Sequence, residues 1–325
     1  MKRYLFILEV KSPFLTKRAR VTDLFVHSDT WSAAILSVAA STGVDVDAWG
    51  EPWFRVSSTL PVLRDGDGGW TLFYPMPETL RDAIAGGRDR KTAKAILYAD
   101  EGFLQSRGQR GHALLDRDGK LRLDAQTGAP REALAWVSIR TGLAVDRSSG
   151  GPIEDQLFEV GDVLVDPRLA LGLLVEAPED RVQEFERYLR LLGFSGVGAS
   201  RTRGRGQFEL AARLDFKPPK FGSGAHLLLS LYHPTRDEVQ AGVLDGSWYR
   251  LVQRGGFVTS PGAMSLRRDR VTMLLEGSVI GSREPPRGDV VQVLAPDKRG
   301  ARNQVVRDGR AFAIPIAMPD RGGGA

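Results

Sequence analysis

The chain has 325 residues, 42% of them hydrophobic, and a net charge of +5. That length suggests two domains of ordinary size rather than one, and the apolar content is too high for a disordered chain. Cysteine is absent, which excludes a disulfide framework and any thiolate-held metal, and no apolar run reaches the roughly 18 residues of a membrane span.

Met1-Lys2-Arg3-Tyr4 runs straight into an apolar stretch, without the apolar core and small-residue cleavage site of a signal peptide, so a soluble cytoplasmic protein with no membrane partner is expected. Residues 3–10 read as a buried strand. Residues 11–20 form a basic loop with four cations and no acid. His27-Ser28-Asp29-Thr30 is rich in N-cap types, so Ser28 or Asp29 is expected to cap the helix that follows. Trp31, Ala34, Ile35 and Val38 make the buried stripe of that helix. Residues 54–63 and 70–74 read as strands, joined by the turn Asp65-Gly66-Asp67-Gly68-Gly69.

Residues 75–134 break this pattern and read as an insertion standing out from the first domain. It carries a basic run at 88–94 and a turn at 116–119. Leu114-Leu115 and Leu121-Arg122-Leu123 flank that turn as a small hairpin. Strand character returns at 157–165 and 169–175. A second amphipathic helix, 178–192, buries Val182, Phe185, Leu189 and Leu192 and is expected to end at Gly193. The Gly-rich stretch 196–206 follows, then a strand at 207–214. Strand, helix, two strands, helix and strand make a ferredoxin-like βαββαβ unit over residues 1–216. Residues 217–224, with two prolines and two glycines, are a natural linker. Residues 225–318 are strand-rich with one short helix at 235–241, a possible degenerate second ferredoxin-like half. Residues 319–325 read as a disordered tail. The fold class is therefore α+β.

Two stretches suit an anion. Gly196, Gly198 and Gly204 let the backbone curl close to a phosphate, where successive N–H groups form a nest. Arg201, Arg203 and Arg205 add charge to it, with Thr202 between them, and residues 195–207 contain no acid. The stretch lies between a helix and a following strand and lacks Gly-Lys-Ser/Thr, which rules out P-loop and Rossmann sites. In the second stretch, Lys17, Arg18 and Arg20 surround the N-terminus of the first helix, itself favourable to anions. The four histidines, His27, His112, His226 and His233, are scattered without a metal or hydrolase motif. His27, beside the basic loop, is the one candidate base for RNA cleavage; packing or hydrogen bonding is the blander role.

From His27-Ser28-Asp29-Thr30 onward the sequence resembles the RAMP subunits of type III CRISPR complexes, most of all the fourth Csm subunit of the type III-A complexes. The likeness continues at Arg140-Thr141-Gly142 and Asp146-Arg147, at the Gly-rich stretch, and at Leu231-Tyr232-His233-Pro234, Arg254-Gly255-Gly256-Phe257 and Glu276-Gly277-Ser278-Val279. The first loop departs from the family: residues 14–20 stand where a Gly-Ser-Gly turn is usual. The resemblance implies two ferredoxin-like RAMP domains with a thumb hairpin, for which the 75–134 insertion is the candidate. It implies a non-catalytic subunit without cofactor or metal that holds the repeat-derived 5′ tag of the crRNA. It also implies partners: the large polymerase-like subunit, a backbone RAMP subunit, and the guide–target RNA duplex near the thumb. RNA contacts are expected from Lys17, Arg18, Arg20, His27, Ser28 and Thr30, from Arg140 and Arg147, and from the Gly-rich stretch. An endoribonuclease of the same superfamily, with His27 as base, and the equivalent type III-B subunit are the alternatives.

Overall fold

The computed structural model describes residues 1–16, 20–81, 90–125, 133–146, 148–219, 221–258, 266–294 and 305–318. The first sheet comprises β1 (Lys2–Val10), β3 (Arg55–Val56), β4 (Leu60–Arg64), β5 (Trp70–Leu72), β12 (Leu169–Ala177) and β13 (Phe208–Asp215). Its order is β13-β1-β12-β4-β5, with β3 also on β12, and every pairing is antiparallel. β1 is apolar and buried from Tyr4 to Leu8 because both its faces are covered there. Tyr4, Phe6 and Leu8 pack under α1 (Ser28–Ser41) and α4 (Val182–Ser195), against Trp31, Ile35, Phe185 and Leu189. Leu5 and Ile7 face the other way and join a cluster with Leu227, Phe312 and Ile314 of the C-terminal half. The sheet is thus the shared wall between the two halves.

The second sheet holds β2 (Phe14–Thr16), β6 (Tyr74–Pro75), β7 (Ile96–Ala99), β8 (His112–Arg117), β9 (Lys120–Ala125), β10 (Ala133–Val145) and β11 (Pro152–Val165), in the order β2-β11-β10-β9-β8-β7-β6. Two short helices, α2 (Arg90–Ala95) and α3 (Glu101–Gln105), flank β7. This corrects the expectation of an insertion standing out at 75–134. The described part of that segment is core: Ala93, Ile96, Phe103, Leu104 and Leu115 enter one hydrophobic cluster, Leu114 and Leu121 the other. Asp100 ties it together, accepting from Phe103 N at 2.7 Å as the cap of α3 and from His112 N at 2.8 Å. The β8–β9 hairpin forms around its turn but lies inside the sheet. What projects is the outer half of β10–β11, where Ile139, Leu143 and Leu157 are exposed.

Among the described residues of the C-terminal half, the strands are short and form three small sheets. β14 (Gly224–Leu228) is central between β17 (Val279–Ile280) and β20 (Ala313–Ala317). β15 (Leu251–Arg254) pairs β16 (Val271–Leu274), and β18 (Val290–Leu294) pairs β19 (Val305–Asp308). The short α5 (Arg236–Gln240) begins with a complete capping box, Thr235 with Glu238. Residues 319–325 lie outside the described residues.

Candidate nucleic-acid interface

The Gly-rich loop is built from its base outward. α4 runs on to Ser195, and Gly196 with φ 77° is its C-cap, its N–H donating to Leu192 O at 2.7 Å. Gly193, expected as the helix end, sits inside the helix, where a β-carbon would collide with the Phe208 carbonyl. It is glycine because the helix there touches β13. Gly206 (φ 71°) closes the loop: Val197 N donates to Gly206 O at 2.9 Å, and Gly206 N to Pro13 O at 3.0 Å. A β-carbon on Gly206 would meet the Val197 carbonyl. Gly206→Ala is therefore expected to cost more than the roughly 1 kcal/mol of the conformational effect alone. A urea melt checks it, since an unchanged midpoint would mean the loop base is not closed.

Beyond this neck the loop opens. Ser200 is left-handed (φ 60°) and starts a single tight turn, Arg201–Arg203, that ends at Gly204. Arg201, Thr202, Arg203 and Gly204 are exposed, as is Gly198, and neither arginine has an ion-pair partner among the described residues. Arg205 behaves differently, which corrects its assignment to RNA. It is buried and grips Asp162 of β11 with two bonds, Nε to Oδ1 at 2.6 Å and Nη2 to Oδ2 at 2.9 Å. Arg140 reaches the same carboxylate, Nε to Oδ2 at 2.9 Å, while staying more than half exposed. Asp162 thus docks the loop against the base of the projecting hairpin and leaves Arg140, Arg201 and Arg203 as its accessible cations. On that hairpin Phe158 lies across Gly142, where a β-carbon would strike its ring.

The second predicted stretch divides. Lys17, Arg18 and Arg147 lie outside the described residues. Arg20 is exposed, and its charge acts on Asp116, whose carboxyl burial pushes up. The His27–Thr30 motif serves as the seam between the two halves, and neither Ser28 nor Asp29 caps α1; the cap position is His27, whose side chain makes no capping bond to the helix. Ser28 is buried and its hydroxyl accepts from Leu231 N at 3.0 Å. Asp29 is completely buried and pairs with Arg254, through Oδ1 at 2.9 Å and Oδ2 at 3.0 Å, and with Arg307. Arg254 also donates to the Thr30 hydroxyl at 3.2 Å. Ser28 is therefore removed from the set able to touch a ligand.

His27 Nδ1 lies 2.9 Å from Glu276 Oε1, and the ring remains about one-third exposed. Burial works to raise the Glu276 carboxyl, but His27 and the Ser58 hydroxyl hold it below the ordinary glutamate range. The other histidines are engaged locally, His112 with Asp100, His226 with Ser282 O and His233 with Asp289. Among the described residues no group of three or more histidine or acidic side chains is arranged to hold a metal ion, and no helix is long and apolar enough to cross a membrane.

Residues 222–316 match the family model of the CRISPR Csm4 C-terminal domain. Two curated relatives, both named CRISPR system Cms protein Csm4, from Mycobacterium tuberculosis strains CDC 1551 and H37Rv, are each 32% identical over 143 residues. That alignment takes in 42% of this chain and 45% of theirs, so it spans under half the length of these relatives. Among solved structures, a chain of a Csm3-Csm4 subcomplex from the type III-A interference complex aligns with TM-score 0.60 and 16% identity, over 98% of this chain and 100% of that one. A chain of a Csm1-Csm4 cassette in complex with cA4 aligns with TM-score 0.59 and 17% identity, over 98% and 99%. Residues 222–316 thus match the Csm4 C-terminal domain, and over nearly its whole length the chain shares the fold of chains from the Csm3-Csm4 and Csm1-Csm4 assemblies.

Proposed function

We propose that this chain is a non-catalytic, crRNA-binding subunit of a type III-A Csm complex. It holds the repeat-derived 5′ tag of the crRNA and bridges the large polymerase-like subunit to the RAMP backbone. The match of residues 222–316 to the Csm4 C-terminal domain carries this reading. The strand order β13-β1-β12-β4, with a helix after the first and third of these strands in sequence, supports a ferredoxin-like first RAMP domain. The strand-rich C-terminal half would be its degenerate counterpart. The exposed Arg201, Arg203 and Arg140 beside a loop of open backbone suit single-stranded RNA phosphates. The projecting β10–β11 hairpin, rather than residues 75–134, is the part that would reach a guide–target duplex.

Replacing Arg201 and Arg203 together by alanine tests the reading. If each neutralises one phosphate, the slope of log K against log salt for single-stranded crRNA falls by roughly 0.7 per arginine. A slope equal to that of the unaltered chain removes the loop from the interface. Co-purification with tagged candidate subunits, followed by sequencing of bound RNA, tests the assembly role.

One observation favours the endoribonuclease reading: the contact with Glu276 orients the His27 ring, as a general base requires. Glu276 also accepts from Ser58 within the seam, which gives the pair a purely structural use. Single-turnover incubation of the chain with labelled repeat RNA is expected to give no cleavage. Cleavage abolished by His27→Ala would establish the enzyme instead.

A further inference from the structure

The open end of β15–β16 concentrates positive charge that the first domain's loop does not explain. Residues 251–274 hold four arginines, Arg254, Arg267, Arg268 and Arg270, against a single acid, Asp269. The strands separate beyond the Arg254↔Val271 pair, and Phe257↔Arg267 form one isolated bridge. Arg268 donates from Nε at 3.1 Å and Nη2 at 2.9 Å to the Phe257 carbonyl, which fixes its guanidinium in place. No carboxylate partners Arg268 or Arg270 among the described residues; Arg270 makes only a 3.4 Å bond to Gln253. Asp29, the nearby buried acid, is already shared by Arg254 and Arg307. Burial, then the neighbouring Arg254 charge, hold the Arg268 guanidinium below its ordinary pKa, as expected of a cation lacking a counter-ion. Beside it the Phe257 ring is half exposed, with the Arg267 guanidinium carbon 5.4 Å from its centroid.

We propose that this end of the hairpin is a second single-stranded RNA contact, in which Phe257 stacks on a base and Arg268 and Arg270 take the flanking phosphates. The inference rests on the RNA-binding reading above and extends the path of the strand onto the C-terminal half. Alternating base and phosphate matches a ring set among cations. An acidic peptide would use the arginines and leave Phe257 without a role.

The test uses the full chain and a labelled single-stranded oligoribonucleotide titrated at several salt concentrations. Arg268→Ala with Arg270→Ala flattens the salt slope by roughly 0.7 per contact. Phe257→Ala weakens binding roughly tenfold with little change of slope, and Phe257→Trp restores it. Arg270→Ala alone keeps the test sound if loss of the Arg268 bonds loosens the hairpin. Unaltered binding in all these variants, where Arg201→Ala with Arg203→Ala does weaken it, overturns this inference and spares the RNA reading. No RNA binding by the unaltered chain overturns both. Capture of polyglutamate, lost with Arg268→Ala and Arg270→Ala while RNA binding persists, overturns it in favour of an acidic protein partner.

Discussion

Asp29→Asn is expected to destabilise the folded chain by about 3–5 kcal/mol, the cost typical of removing one partner of a buried ion pair. The Asp29 carboxylate has no solvent exposure and Arg307 almost none, so neither charge can be rehydrated without opening the seam. One carboxylate serves two guanidinium groups, and Arg307 Nε already lacks a partner. The amide would keep the shape, lose the charge and leave buried Arg307 and partly buried Arg254 as neighbouring cations without their counter-ion. Urea denaturation followed by tryptophan fluorescence measures the effect, because Trp31 lies on the same helix and donates to Thr59 within that region. A loss below about 1 kcal/mol, the scale of exposed pairs, would mean that other contacts hold the two halves together. Candidates are the bonds from Arg310 to Pro52 O and Phe54 O and from Ser32 to Asp308.

The seam also marks what local sequence can and cannot reveal. His27-Ser28-Asp29-Thr30 has the composition of a helix start, and a helix does start there. The same composition gave no sign that Asp29 turns to Arg254, 225 positions away, because an ion pair of that separation leaves no local pattern. Arg205 misled for the same reason: in sequence it is one of three alternating arginines, but its neck position aims it inward at Asp162, while Arg201 and Arg203 stand on the turn. β1 and α4 were legible because nine and fourteen residues carry enough apolar pattern to fix both type and buried face. Their boundaries were less so, as Gly193 illustrates. Residues 75–134 were misread because the elements are short. β7 has four residues, α2 six and α3 five, too few for a period to emerge, and the basic run hides Ala93, which is buried.

Excising residues 90–125 is accordingly expected to unfold the first half, whereas trimming the outer part of β10–β11 is not. The excision would remove α2, α3 and three strands from a seven-stranded sheet, leaving β6 without its partner β7 and β10 paired on one side only, with β11. It would strip Phe103, Leu104 and Leu115 from the cluster under Tyr74 and Leu174, and Leu114 and Leu121 from the one beneath α1. Phe103→Ala alone, at a fully buried ring, is expected to cost about 3–5 kcal/mol. Replacing residues 141–157 by a short turn removes the exposed Leu143, Val145 and Leu157 and no buried side chain among the described residues. The loop-closure term changes only logarithmically with length, so the melting temperature should move by a few degrees at most. Circular dichroism melts of the two deletions side by side decide the matter. A folded, cooperative 90–125 deletion would mean that the segment is a separable insertion after all. A trimmed hairpin that unfolds would mean that its outer half supports the core it leaves behind.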